Sequence, residues 1–256
     1  MFSFVNGMQT LPRSIASRLG DKVITSAEVT GITKNESGFS VKYISEGTEK
    51  KIDADIVYST LPAYTAAGLF KNFDEGLEKH LNDIYYPPVL VQYLVYDKSS
   101  VKQPLDGFGF LIPSKEKKSF LGAIWSSVIF PNRAAESKAS FTLFIGGARD
   151  SEMVNIDKEV LFKKVRGEFE QIMGISAEPE ELYYRFWPKS IPQYNIGYIE
   201  HEKYFEEFEK RNPGLVLGGN YRGGISVGDC ILNSEKLAQH VLEESRMRFS
   251  QVEISD

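Results

Sequence analysis

The chain has 256 residues, of which 42% are hydrophobic and 25% charged, with a net charge of −5. That balance is ordinary for a globular protein able to bury a sizeable core, and it argues against nucleic acid as a partner, which needs a basic surface. One cysteine, Cys230, excludes an internal disulfide; no window approaches the roughly 18 apolar residues of a membrane span, and the start Met1-Phe2-Ser3-Phe4 lacks a signal peptide's basic region and apolar core, so a cytoplasmic location is the simplest expectation.

Pro12 fits the first turn of a helix carrying Ile15, Ala16 and Leu19 and closed by Gly20. Val23 to Thr25, Glu28 to Lys34 and Phe39 to Tyr43 read as strands, the last two joined by the turn Asn35-Glu36-Ser37-Gly38. Asp55 to Thr60 is a short buried-type strand, and Pro62 starts a small helix through Ala66 and Leu69. An amphipathic helix around Gly76 to Asp83 ends before Pro87-Pro88, after which apolar strands follow near Val89 to Tyr96, Gly109 to Ile112, Phe120 to Trp125 and Phe141 to Gly146. Asp157 caps a predicted helix reaching Met173, followed by a strand over Leu182 to Trp187 and a polar helix around Glu200 to Glu209. The expected division is a discontinuous domain of residues 1–74 and 196–256 with an α+β sheet domain, 75–195, inserted between its parts.

The densest chemistry lies late in the chain, where the apolar run Leu215-Val216-Leu217 leads through Gly218-Gly219-Asn220, Gly223-Gly224 and Gly228-Asp229 into a helix expected from about Ile231 to Met247. Strand, glycine turn and helix start in that order present backbone N–H groups and the positive end of a helix dipole to something negative. Asp229 reads either as a capping carboxylate or as a group beside a cofactor's polyol chain, and Cys230 as a small packed residue. In a second cluster, Trp187 to Tyr194, Pro188 and Pro192 fix a non-repetitive path that brings Trp187 and Tyr194 off regular structure, where their faces either wall a flat ligand or pack a hinge. Phe108, Phe110 and Trp125 read as sheet core. Lys115, Lys117 and Lys118 form a solvated basic turn. His80, His201 and His240 stand far apart in polar stretches, so no metal site is expected, and neither a nucleophile triad nor a shared carboxylate pair is present. Chemistry carried by a bound cofactor needs none of these.

Gly7-Met8-Gln9-Thr10-Leu11-Pro12, Val23 to Ile32, Ala54 to Val57 with Leu61-Pro62-Ala63, Trp187 to Tyr194 and Gly218 to Cys230 together resemble the carboxy-terminal half of the protoporphyrinogen oxidase family. These are flavoenzymes of haem synthesis within the amine-oxidase and phytoene-desaturase superfamily. The run Trp187-Pro188-x-x-Ile191-Pro192-Gln193-Tyr194, with Ser127-x-x-Phe130-Pro131 and Gly146-Gly147-x-Arg149, narrows the resemblance to porphyrinogen oxidases. It implies an α+β (α/β) fold: part of an FAD/NAD(P)-binding domain of the glutathione-reductase and p-hydroxybenzoate-hydroxylase kind, with an inserted mixed or antiparallel substrate-binding sheet. It implies FAD as cofactor and a porphyrinogen as substrate, oxidised through the flavin with oxygen or another acceptor. Val29 would meet the adenine through its backbone. Thr60, Leu61 and Pro62 would lie by the adenosine end, Trp187 against the flavin region, and Gly219, Asn220, Ile225, Ser226 and Val227 along the ribityl-flavin portion.

Members of the family begin with a Gly-x-Gly-x-x-Gly dinucleotide turn, an acidic ribose ligand and a helical membrane-associating region, none of which occurs in these residues. The expectation is therefore half a flavin site, with weak FAD binding and no activity by the isolated chain. Exposed apolar surface favouring homo-oligomers and peripheral membrane association through a region outside this chain are expected with it. Two alternatives stay open: another flavin amine oxidase or desaturase, and a non-catalytic domain that binds a tetrapyrrole or a partner protein.

Overall fold

The computed structural model describes residues 3–252, with side chains through Leu242. Helix α1 spans Thr10–Leu19, and the strands β1 (Ala27–Lys34), β2 (Phe39–Ser45) and β3 (Thr48–Ala54) form a three-stranded antiparallel sheet in sequence order. Asn35 shapes the first hairpin by accepting the N–H groups of Ser37 and Gly38 on Oδ1. Glu46 and Gly47 form the second at φ 55° and 73°, the left-handed pair that a two-residue hairpin turn requires. The segment Val23 to Thr25, expected as a strand, is irregular.

Strand β4 (Val57–Ser59), helix α2 (Ala63–Phe70, entered at Pro62) and helix α3 (Glu75–Asn82) follow. Next come β5 (Val89–Asp97), β6 (Gly109–Leu111), β7 (Gly122–Ile124), the single turn α4 (Ser126–Ile129), β8 (Lys138–Gly146), α5 (Lys158–Met173) and β9 (Glu181–Trp187). Helix α6 (Tyr198–Arg211), strand β10 (Leu215–Leu217) and helix α7 (Val227–Val252) complete the order. Among the described residues no helix is long and apolar enough to cross a membrane.

The chain divides into two compact units, one holding residues up to Val23 with Tyr86–Ser190, the other Ile24–Tyr85 with residues from Ile191 onward. Residues 3–23 thus group with the sheet unit, and 75–85 with the glycine-rich unit, whereas the expected boundaries lay at 74/75 and 195/196.

In the sheet unit the five strands run in the order β6-β7-β8-β5-β9, all antiparallel. Alternation puts Leu90, Leu94 and Tyr96 of β5 and Ala139, Phe141, Leu143 and Ile145 of β8 on one face, where Leu161, Val165, Phe169 and Met173 of α5 bury them. Asp157 caps α5 by accepting the N–H groups of Glu159 and Val160, and Gly174 ends it in the left-handed conformation. Of the expected core aromatics, Trp125 is buried and Phe110 packs against the core, whereas Phe108 is 70% exposed.

In the other unit β10 pairs parallel to β4, with Leu217 opposite Ser59. Ala63, Ala66, Ala67 and Phe70 of α2, Leu77 and Leu81 of α3, and Phe205 and Phe208 of α6 are buried with the three residues of β10. Asp74 caps α3 at Leu77 and accepts hydrogen bonds from the Tyr204 hydroxyl (2.6 Å) and Arg211 (2.8 Å) of α6. Burial works against its ionisation, but Tyr204, Leu77 N–H and Arg211 hold its carboxyl below the ordinary value.

At the far end of α3, His80 meets His201 of α6, Nδ1 to Nδ1, at 3.0 Å. Sequence separation hid this pair, and the expectation that the three histidines stand apart is corrected for two of them. Burial first, and the neighbouring His201 second, hold the His80 imidazole below its ordinary 6.5. The unfolded chain therefore binds a proton that the folded unit resists, so this contribution to stability is complete above pH 6.5 and fades as pH falls below it. Denaturant midpoints at pH 7.5 and 5.5 are expected to show a loss on acidification that is smaller in His80→Gln. An equal loss in both proteins would assign the effect to other groups.

Candidate functional site

The site begins where β4 and β10 end side by side. Parallel strands direct their carboxyl ends to one side, and a ligand there meets loops rather than side chains of the sheet. Val57 N–H donates to Gly214 O (2.8 Å) and Gly218 N–H to Ser59 O (2.7 Å), so the ladder runs one residue past β10 before the chain turns. Two segments emerge together, Thr60-Leu61-Pro62 and Gly218-Gly219-Asn220. At Gly219 φ is +120°, and a Cβ there would stand 3.3 Å from Leu61 O and 3.4 Å from Thr60 O. Glycine is needed both for the angle and for the approach of the two backbones.

The turn is held by side chains from outside it. Glu209 of α6 accepts Leu217 N–H and pairs with Arg222, both at 2.7 Å, and Arg222 also donates to Leu217 O at 3.0 Å. Tyr194 donates to Asn220 O and accepts Gly224 N–H, each at 3.1 Å. Burial above all holds its phenol above the ordinary value, so the hydroxyl keeps the proton it donates. The Tyr198 hydroxyl donates to Tyr221 O, and Asn233 to Arg222 O. Gly219 O accepts Arg222 N–H within the turn. The carbonyls from Gly219 to Arg222 are therefore all occupied. Among the described residues the N–H groups of Gly219, Asn220, Gly223, Ile225, Val227 and Gly228 have no protein acceptor. A turn whose acceptors are taken and whose donors are open presents a face that favours an acceptor-rich or anionic group.

Helix α7 starts at Val227, ahead of the expected Ile231, because Ser226 and Asp229 form a reciprocal cap. Ser226 Oγ accepts Asp229 N–H (3.0 Å), while Asp229 accepts from Ser226 N–H (3.3 Å) and its hydroxyl (2.6 Å). Asp229 is thus a capping carboxylate, which leaves Val227 and Gly228 N–H as the open donors of the helix start. Beside them a cleft of about 340 Å³ is lined by Thr60, Pro62, Gly219, Asn220, Cys230, Asn233, Ser234 and Leu237. Burial first and Asp229 second push the Cys230 thiol up, so it stays a neutral wall group.

Thr60, Leu61, Pro62, Gly219 and Asn220 meet at the ends of β4 and β10, and Ile225, Ser226 and Val227 belong to the same unit at the start of α7. Val29 belongs to the same unit, on β1, the edge strand of its sheet. Its register with β2 shifts between Val29 and Gly31, and the outer edge of β1 carries no partner strand among the described residues. An open backbone edge is what a main-chain contact to a flat heterocycle needs. Trp187 lies in the sheet unit as the last residue of β9, opposite Val89, rather than off regular structure. It is 47% exposed, with the Arg185 guanidinium 4.9 Å from its ring centroid. Sequence reading missed Glu209, Arg222 and Tyr198 as holders of the turn; the polar residues around the glycines carried no distinct signal for them. A smaller cavity of about 160 Å³ in the sheet unit, bounded by Lys117, Lys118, Arg149 and Asp150, contains none of the expected site residues.

A glycine cradle, open N–H donors at a helix start and a polar cleft are the features that an acceptor-rich cofactor would meet here. The chain is 31% identical over 253 residues to protoporphyrinogen oxidase 2, chloroplastic/mitochondrial, of Arabidopsis thaliana, covering 94% of this chain and 50% of that protein. It is 27% identical over 227 residues to coproporphyrinogen III oxidase of Bacillus subtilis (strain 168), covering 88% and 47%. Its fold matches an Exiguobacterium sp. 255-15 protein provisionally assigned as a protoporphyrinogen oxidase, with TM-score 0.78, 19% identity and coverage of 94% and 52%. A putrescine oxidase variant matches with TM-score 0.73 at 13% identity, covering 94% and 53%. The chain thus spans about half the length of the curated relatives it matches. The family described as flavin containing amine oxidoreductase matches residues 2–242, nearly the whole chain, and the chain belongs to that family.

Proposed function

We propose that this chain provides the flavin-ring end of an FAD site and the substrate sheet of a porphyrinogen oxidase of haem biosynthesis, with oxygen as the acceptor. The observation that carries the reading is the turn from Gly218 to Gly228, where the carbonyls of Gly219 to Arg222 are tied by Arg222, Tyr194, Tyr198 and Asn233 while, among the described residues, the N–H groups of Gly219, Asn220, Gly223, Ile225, Val227 and Gly228 stay open. The bound flavin supplies the two-electron chemistry. This chain's own work is positioning. Gly219, Asn220, Ile225 and Val227 present open donors to the ring and polyol, Ser226 caps the helix start beside them, Thr60, Leu61 and Pro62 shape the neighbouring wall, Val29 offers open backbone, and Trp187 gives the sheet unit an aromatic face. Holding reactants in place and matching developing negative charge with fixed donors is how a protein without an acid–base group at the site contributes to catalysis.

Support for a porphyrinogen as substrate comes from the oxidases of Arabidopsis and Bacillus that the chain resembles. The pyrophosphate grip is assigned to residues outside this chain, because no Gly-x-Gly-x-x-Gly turn occurs within it. Titrated alone with FAD, the chain is expected to show only weak binding, with a dissociation constant above about 100 μM. The affinity of a divided site is lost when only one part is present. A stoichiometric yellow protein after purification would overturn that expectation. Assembled with a dinucleotide-binding portion, the holoenzyme is expected to convert protoporphyrinogen or coproporphyrinogen to fluorescent porphyrin and to leave primary amines untouched. Amine oxidation without porphyrin formation would move the chain to another branch of the family.

A further inference from the structure

The two histidines joining α3 to α6 form a site independent of the flavin reading. Their rings meet at 80° with centroids 5.1 Å apart, and the Nδ1 atoms face each other at 3.0 Å. A neutral pair at this distance holds one proton between the rings, one imidazole donating from Nδ1 and the other accepting. The same spacing is also the bite of a chelate. With metal–nitrogen bonds of about 2.0–2.1 Å, a 3.0 Å separation gives an angle of about 94° at the metal, near the 90° of a tetragonal ion. A tetrahedral ion would need the atoms about 3.3–3.4 Å apart.

We propose that His80 and His201 bind a single divalent ion of tetragonal preference, Cu(II) or Ni(II), through both Nδ1 atoms. Imidazole suits these ions, and they stand at the high-affinity end of the divalent series. Among the described residues no third histidine, cysteine or carboxylate completes a ligand group, so water fills the other positions. Binding moves the shared proton from Nδ1 to Nε2 of its own ring, leaving Nε2–H on both imidazoles and releasing no proton from the neutral pair. Chelation also requires both Nδ1 lone pairs, which in the hydrogen-bonded pair lie along the line between the rings, to turn toward a common ion, a pivot that closes the centroid separation from 5.1 Å to about 4.7 Å.

Both rings are packed against neighbours that limit their motion. His80 stacks on Tyr204 with centroids 4.1 Å apart, and Tyr204 is anchored by its bond to Asp74. His201 lies edge-on to Tyr198 at 5.7 Å. Such outer contacts fix ring direction and raise affinity in metal sites. The charged groups acting on His80 are Asp83 and Asp74, which favour a cation, and Lys79, which opposes it. A bound ion would fasten α3 to α6, the helix whose Glu209 and Tyr198 hold the glycine turn.

The test uses the untagged, metal-stripped chain, titrated with NiCl₂ by calorimetry and with CuSO₄ by electron paramagnetic resonance. One ion per chain at micromolar affinity is expected for nickel, with a copper spectrum showing coupling to two imidazole nitrogens. His80→Gln and His201→Gln should each weaken nickel binding at least about tenfold, and His240→Gln should leave it unchanged. Lowering the pH from 7.5 to 5.5 should weaken it at least about tenfold, because protons compete for the same lone pairs. Zn(II) should bind more weakly than Ni(II). A copper spectrum without two-nitrogen coupling in the intact chain, nickel binding that survives both glutamine substitutions, or no binding below millimolar nickel would overturn the proposal. Because the copper spectrum is read on the unsubstituted chain, a variant that fails to fold does not decide the matter.

Discussion

Gly219→Val is expected to destabilise the unit by roughly 2–3 kcal/mol and to abolish flavin retention by the assembled holoenzyme. A φ of +120° lies in a region that a β-branched residue does not reach without strain of about 1–3 kcal/mol. The added Cβ would also sit 3.3 Å from Leu61 O and from Tyr221 Cε1, so the strands' exits cannot keep their separation. The γ-methyls would then project from a residue that lines the cleft with Thr60 and Asn220. Denaturant unfolding of the chain and flavin content of the assembled holoenzyme measure the two effects separately. A valine variant within about 0.5 kcal/mol of the parent would show that the turn is not held as described. Normal stability with lost flavin would assign the glycine to ligand approach alone.

Phe169→Ala is expected to cost about 3–5 kcal/mol, the range for truncating a large buried aromatic. The side chain is fully buried on α5, where its ring meets Phe141 edge-on at 4.9 Å, Phe120 edge-on at 6.4 Å and Phe110 in a stack at 6.4 Å. Alanine would lose that area and the ring contacts, and would leave a void between helix and sheet. Phe169→Leu refills most of the volume and should cost less than half as much. Equilibrium unfolding followed by circular dichroism separates the three proteins. A loss below about 1 kcal/mol for alanine would mean that α5 does not cover the sheet through this residue.

The long elements were legible because their signals are local. Asp157, the apolar spacing of α5 and Gly174 marked a helix from end to end, and the apolar runs of β5 and β8 declared themselves as buried strands. Strand β3 did not, because Thr48-Glu49-Lys50-Lys51-Ile52-Asp53-Ala54 is largely exposed and shows no apolar alternation. Its order comes from pairing with β2 through Glu46-Gly47, and the glycine of that turn was the only hint. The start of α7 was misplaced although Ser226-x-x-Asp229 spells a cap, since the surrounding glycines read as loop. The glycine turn was found from its composition, yet what holds it was not. Glu209, Arg222, Tyr194 and Tyr198 act through contacts that only the packed unit creates, as does the pairing of His80 with His201.

The braces on the turn come from distant parts of the chain: β4 at its base, the segment from Tyr194 to Tyr198 before and at the start of α6, Glu209 near that helix's end, and Asn233 within α7. Its outward-facing donors are therefore not a local property of a glycine-rich sequence. They exist only when four separated stretches have assembled, so the surface that would receive a ligand appears and disappears with the cooperative folding of its unit. A peptide spanning Gly214 to Cys230 carries every glycine of the motif and none of its shape.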